Sequence, residues 1–96
     1  MNIEKKTEGK NVTLSLGGWM DVKSAPQFGE TVDSLGEETE SLMLDMSGLE
    51  YISSAGIRQI VAAYKKMNGA LTLKNLSPEV LDVLKMTGLD KRLNIE

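Results

Sequence analysis

The feature that most constrains the fold of this chain is an apolar segment, residues 42–46, that leads into a pair of serines and then into an amphipathic helix. The apolar run is almost continuous, which is typical of a strand covered on both faces. Either Ser53 or Ser54 can cap the helix by accepting a hydrogen bond from a backbone N–H group of its first turn. The same N–H groups and the helix dipole favour an anion. After a short loop, the sequence thus places a serine hydroxyl at a helix start, where a phosphate would be stabilised. The apolar residues after the serines recur at helical spacing, at Ile57, Ile60, Val61 and Tyr64.

The rest of the chain alternates strand-like and helix-like segments. Residues 2–6 and the alternating Val12, Leu14 and Leu16 predict two strands, which a turn at Gly9 joins as a hairpin. Residues 71–74 predict a further strand, and residues 93–95 a brief terminal one. Helices between strands, after an opening hairpin, predict a small α/β domain with a mixed, largely parallel sheet. We expect four to five strands and about three helices, in the order β-β-α-β-α-β-α(-β).

Start and stop signals bound the three helices. The first follows Ser24, has Pro26 in its first turn and is expected to end near Gly36. The second begins at the serine pair and ends at residues 68–69, Asn-Gly. The third begins at residues 77–79, Ser-Pro-Glu, where serine caps, proline suits the first helical position and glutamate favours the dipole. Gly88 should close it. Four methionines are expected to fill the core: Met43, Met46, Met67 and Met86.

Composition excludes several classes of function. With 96 residues, the chain is expected to form one domain, residues 1–96. It has no cysteine and no histidine, so thiolate and histidine metal sites and a Ser-His-Asp triad are excluded. The net charge of −3 and the lack of basic runs argue against nucleic acid as a partner. No apolar segment approaches the roughly 20 residues that span a bilayer, and no signal-peptide core is visible. We expect a cytoplasmic protein without membrane insertion.

Three segments carry a pattern that covers nearly the whole chain when they are taken in order. They are residues 18–21, Gly-Trp-Met-Asp; residues 51–57, Tyr-Ile-Ser-Ser-Ala-Gly-Ile; and residues 71–75, Leu-Thr-Leu-Lys-Asn. Together they resemble the signature of the anti-sigma factor antagonists of the STAS superfamily, and residues 80–89 resemble the closing helix of that family. In this alignment the phosphorylated serine falls on Ser54. One departure concerns the acidic residue that usually precedes that serine, because Ser53 stands in its place.

The resemblance implies a STAS-like domain that binds an anti-sigma factor, itself a serine kinase, and that is switched off by phosphorylation. Ser54 would be the phosphoacceptor, with Ser53 as the runner-up. A serine phosphatase would reverse the switch, ATP and magnesium would belong to the kinase, and this chain would need no cofactor. The surface implied to bind the partner comprises Trp19, Asp21, Ser53, Ser54, Gly56 and Arg58.

Several alternatives stay open on the sequence alone. The missing acidic residue favours an accessory subunit of a transporter or signalling complex that is not phosphorylated. An enzyme with Ser54 as nucleophile is disfavoured, because the nearest helical lysine lies roughly 16 Å along the helix. Trp19 fits either an interface anchor or the core, and Asp21 either a contact or a turn. Asp45 either bonds to the serine loop or points to solvent.

Overall fold

One five-stranded sheet organises the molecule. A computed structural model describes residues 1–96, and in it the strands lie side by side in chain order. The first two strands are antiparallel and the remaining pairs are parallel, which confirms the predicted α/β fold with a mixed, largely parallel sheet. In chain order the elements are β1 (Asn2–Glu8), β2 (Asn11–Met20), α1 (Ala25–Asp33), β3 (Ser41–Ile52), α2 (Ser54–Lys66), β4 (Leu71–Lys74), α3 (Pro78–Met86), a 3-10 turn (Leu89–Lys91) and β5 (Asn94–Ile95).

The sheet buries only one of its faces. In β3 the residues alternate, so that Leu42, Leu44 and Met46 are buried while Met43 and Asp45 are only partly covered. The buried residues of all three helices pack with Leu42, Leu44 and Met46 in a single core of 21 residues. The expectation that this strand is covered on both faces is therefore wrong. A continuous apolar run misled the prediction because Met43 is apolar and yet half-exposed.

The strand β3 is longer than the sequence indicates. Residues 47–50, expected to be a loop, continue the pairing with β2 as far as Ile52. The register shifts twice along this stretch, between Ser15 and Gly17 and again between Gly18 and Trp19. Glycine allows this close approach, because a Cβ atom on Gly48 would lie 3.1 Å from the carbonyl oxygen of Leu16. Such irregularities re-aim the side chains that follow them.

The predicted stop signals follow all three helices within three residues of their ends. The second helix ends before Asn68 and Gly69, both of which have positive φ, and Gly88 follows α3 with a φ of 75°. The first helix, α1, ends at Asp33, three residues before Gly36. After its end the N–H of Leu35 donates to the carbonyl oxygen of Val32 at 3.1 Å, and the Leu35 side chain is buried in the core.

The methionine prediction is correct in part. Met46 is fully buried, and Met43 and Met67 are partly buried. Met86, at the end of α3, is 86% exposed and contributes nothing to the core.

Candidate functional site

The ends of β2 and β3 lie side by side and bring the predicted site residues together. Met20 pairs with Ile52, and the N–H of Ser53 donates to the carbonyl oxygen of Met20 at 2.8 Å. The loop that contains Asp21 and the start of α2 therefore leave the sheet at the same edge. In open α/β sheets, ligands bind at this edge, outside the carboxyl ends of the parallel strands.

The structure decides which serine caps the helix. Ser53 is the N-cap, with extended backbone, and its Oγ accepts a hydrogen bond of 3.2 Å from the N–H of Gly56. Ser54 is the first helical residue and is exposed, and its hydroxyl makes no hydrogen bond within the protein. The backbone N–H groups of Ser54 and Ala55 also have no partner in the protein. The two serines thus have different roles, one holding the helix start and one facing solvent.

Asp21 organises its own loop. Its Oδ1 accepts from the N–H groups of Lys23 at 3.0 Å and Ser24 at 2.9 Å, and the Ser24 hydroxyl lies 3.0 Å away. That hydroxyl also accepts from the N–H of Asp21 and donates to the carbonyl oxygen of Trp19 at 2.7 Å. The backbone N–H of Ser24, followed by its hydroxyl, lowers the pKa of Asp21 below its ordinary value. The interpretation of Asp21 as a turn residue is confirmed, and a contact with a partner stays a prediction.

An exposed aromatic pair lies near the ends of β2 and β3, at the same edge of the sheet as the serines. Trp19 is 58% exposed and Tyr51 is 45% exposed, so the interpretation of Trp19 as a core residue is wrong. The two residues are partners in the β2 and β3 ladder, and their ring centroids are 5.3 Å apart with planes tilted by 44°. Val22, in the loop beside Asp21, is 72% exposed. We call Trp19, Tyr51 and Val22 the apolar patch. Tyr51 was not among the predicted site residues, because the shifted register that sets it beside Trp19 is not visible in the sequence.

Gly56 and Arg58 differ in exposure although they lie two residues apart. Gly56 is buried, and a Cβ atom there would lie 2.8 Å from Ile52 Cγ1 and 2.9 Å from Met20 Cγ. Gly56 allows α2 to pack closely on the strand ends. It lies below the surface that a partner would contact. Arg58 is exposed and forms no ion pair. It lies one helical turn after Ser54, on the same face of α2.

Asp45 is not connected to the serine pair. Its Oδ1 accepts from Asn75 Nδ2 and from the N–H of Ser47, both at 3.1 Å. The Asn75 amide is the main cause of the lowered pKa of Asp45. The carboxylate therefore joins the middle of β3 to the end of β4. Nowhere in the protein do three or more acidic side chains come together as metal ligands.

A family model described as "STAS domain" matches residues 2–96. The chain belongs to the STAS domain family. The recognition made from the three sequence segments is thereby confirmed. None of the helices of this STAS domain is long and apolar enough to cross a membrane.

Named relatives of this STAS domain include regulators of sigma factors. The anti-sigma-B factor antagonist of Bacillus subtilis is 29% identical over 98 residues, which cover 99% of this chain and 90% of that protein. A putative anti-sigma factor antagonist from Thermotoga maritima superimposes with a TM-score of 0.88 at 23% identity, covering 97% of this chain and 84% of that one. The Bacillus cell fate determinant SpoIIAA, solved in its phosphorylated form, gives a TM-score of 0.76 at 15% identity and covers 99% and 91% of the two chains. The two structures establish the fold, and the relatives' names agree with a regulator rather than an enzyme.

Proposed function

We propose that this STAS domain is a cytoplasmic anti-sigma factor antagonist that works by partner switching. In its unmodified state it binds an anti-sigma factor that is also a serine kinase, and so frees the sigma factor. Phosphorylation of Ser54 ends the association. The names of the relatives support the class of protein. One structure that shares the fold, that of SpoIIAA, was solved in the phosphorylated form.

The observation that carries the proposal is the position of Ser54. It is exposed, it lies at the start of α2, and it shares an edge of the sheet with the ends of β2 and β3, which carry Trp19 and Tyr51. A partner that spans this edge of the sheet would contact both the aromatic pair and the Ser54 hydroxyl. Exposed aromatic residues are the side chains most often found as energetic anchors of interfaces. One surface would thus both bind the partner and present the hydroxyl to be modified.

Modification of Ser54 would change the surface and leave the fold intact. The hydroxyl supports no hydrogen bond in the protein, so its loss removes no internal contact. A phosphate adds about −1.5 to −2 charges at neutral pH, and the start of a helix tolerates negative charge well. The same group in an interface brings bulk and like-charge repulsion that cost several kcal/mol, and each 1.4 kcal/mol or so is tenfold in affinity.

The two serines are unequal as acceptors. The Ser53 hydroxyl is the helix cap, and Ser53 is half-buried, so a phosphate there would displace the bond to the N–H of Gly56. Ser54 has no such bond to lose. This difference favours Ser54 and keeps Ser53 as the runner-up.

The chemistry of the switch belongs to the partners. The kinase would bring ATP and magnesium, pass the γ-phosphoryl group to Ser54 Oγ, accept the hydroxyl proton on a base of its own and release ADP. A serine phosphatase would return the hydroxyl by hydrolysis. This chain supplies the acceptor and the docking surface.

The decisive experiment reconstitutes the switch with the cognate anti-sigma factor and ATP, and maps the phosphate by fragmentation. We expect modification of the wild type and of Ser53→Ala, and none of Ser54→Ala. In calorimetry, Ser54→Ala should bind the partner like unmodified wild type and Ser54→Asp should bind at least tenfold more weakly. Equal affinity of these two variants, or a phosphate on Ser53 alone, would refute the mechanism. The relatives' names do not favour the alternative of an accessory subunit. Binding of the partner without modification of the protein would support that alternative.

A further inference from the structure

The charge distribution of α2 is one-sided. The helix contains Arg58, Lys65 and Lys66 and no acidic residue, and its first turn carries no negative charge. The other helix that begins at a capping serine, α3, has Glu79 in its first turn. Lys66 is engaged, because its Nζ donates to the carbonyl oxygen of Val32 at 2.7 Å and lies 3.8 Å from Asp33 Oδ1. Arg58 has no comparable partner.

The positions one turn from Arg58 explain why it is alone. They hold Ser54 and Ala55 towards the start of the helix and Val61 and Ala62 towards its end. None of these side chains can pair with a guanidinium. An anion on Ser54 would supply the partner that Arg58 lacks.

We propose that Arg58 binds the phosphate of phosphorylated Ser54 within the same chain. Residues four apart on a helix have Cβ atoms about 6 Å apart, well within the reach of an arginine side chain. The guanidinium presents a planar fork of donors that matches phosphate oxygens in pairs, which the point charge of a lysine does not. The proposal rests on the proposed function for its biological meaning, and it adds Arg58 as the residue that binds the phosphate once Ser54 is modified.

Because of this pairing, phosphorylation of Ser54 would change the state of both the Ser54 hydroxyl and the Arg58 guanidinium. In the unmodified protein the Arg58 guanidinium is free to contact an acidic group of the partner. After modification the same guanidinium is held by the phosphate and is withdrawn from that contact. Arg58 therefore acts as a positioning residue for the phosphate and as a readout of the state of Ser54.

The experiment uses full-length protein in which phosphoserine is incorporated at position 54 during synthesis. The second pKa of the phosphate is measured by phosphorus NMR titration at low salt. We expect a value below the ordinary one of about 6, and a rise of roughly 0.3 unit or more in Arg58→Gln. Arg58→Lys should give a smaller rise. Lys65→Gln is the matched control, since it removes an exposed cation farther along the same helix, and it should leave the value unchanged.

Equal pKa values in wild type and Arg58→Gln would overturn the proposal. A rise in Lys23→Gln in place of Arg58→Gln would assign the phosphate to the loop after β2 and would overturn it as well. Unfolding curves of the phosphorylated variants show whether each is folded. Because no kinase is used, the result is independent of whether Ser54 is the natural acceptor, and the proposed function can fail separately in the reconstitution.

Discussion

The N–H of Ser53 donates to the carbonyl oxygen of Met20 at 2.8 Å, so the last residue of β2 holds the residue that caps α2. The backbone thereby fixes where the helix starts. The side chain of Ser53 has only to accept from the N–H of Gly56, which any good capping residue can do. The geometry of the site is thus largely independent of whether an acidic residue or a serine precedes Ser54.

Replacing the cap should cost stability only when the acceptor is lost. We expect Ser53→Ala to lower the free energy of unfolding by about 1 kcal/mol. Ser53→Asp keeps an acceptor and adds negative charge at the helix start, so its stability should equal or exceed that of the wild type. Urea unfolding measures both, with Ser54→Ala as the control that changes stability by less than about 0.5 kcal/mol. A wild-type value for Ser53→Ala would contradict the assigned cap.

A side chain at Gly56 should push α2 off the strand ends. The added Cβ of Gly56→Ala would lie within 2.9 Å of Met20 and Ile52, both of which are buried. Overpacking of this kind costs about 1 to 3 kcal/mol, to be measured by thermal and urea unfolding. Gly17→Ala is the matched control, since its Cβ would meet neighbours only at 3.8 Å. If the two variants proved equally stable, the close approach at Gly56 would not be real.

The aromatic pair should matter for binding and little for stability. Because neither Trp19 nor Tyr51 belongs to the buried core, truncating either residue leaves the core packing intact and removes mainly the contact between the two rings. In the proposed complex, Trp19→Ala should weaken binding of the anti-sigma factor by roughly 2 kcal/mol, or about thirtyfold, and Tyr51→Ala by about tenfold. Calorimetry with the cognate partner measures this. Met86→Ala, which removes an even more exposed apolar residue from α3, should bind like the wild type. Unchanged affinity in both Trp19→Ala and Tyr51→Ala would exclude the aromatic pair from the interface.

Asp21 should stabilise the fold above about pH 4 and lose that effect in acid. Its pKa in the folded protein lies below the ordinary 3.8 because Ser24 donates to the charged carboxylate. A lowered pKa means stability that is present above the unfolded value and is lost as the pH falls through the folded one. Asp21→Asn should therefore have a lower unfolding temperature than the wild type at neutral pH, and the two should converge in acid.

Thermal unfolding from about pH 7 to about pH 2.5 tests this pH dependence. Asp82→Asn is the control, because Asp82 is exposed on α3 and its side chain makes no hydrogen bond or ion pair. It should follow the wild type throughout. A constant difference between Asp21→Asn and wild type across the range would show that the charge on Asp21 has no part in holding the loop.

Local signals in the sequence are enough to predict the order of the elements. Capping residues, glycines with positive φ and alternating apolar positions each depend on a few neighbouring residues. The extension of β3 and the aromatic pair depend instead on how β2 and β3 slide past each other at Gly17 and Gly48, which only the folded sheet determines. Exposure of Trp19 is of the same kind. The serine pair was predictable only in part. The sequence offers Ser53 and Ser54 as possible caps, and the direction in which the chain leaves Ile52 decides that Ser53 is the cap.

The uncharged cap at Ser53 decides what kind of signal a phosphate on Ser54 would send. Residues 53–60 contain one charged side chain, the cation of Arg58. A phosphate of about −2 would turn this segment from net positive to net negative. With an acidic residue in the capping position, the same segment would begin neutral and only become more negative. In this chain, modification would reverse the local polarity, so that an acidic partner surface once attracted would be repelled.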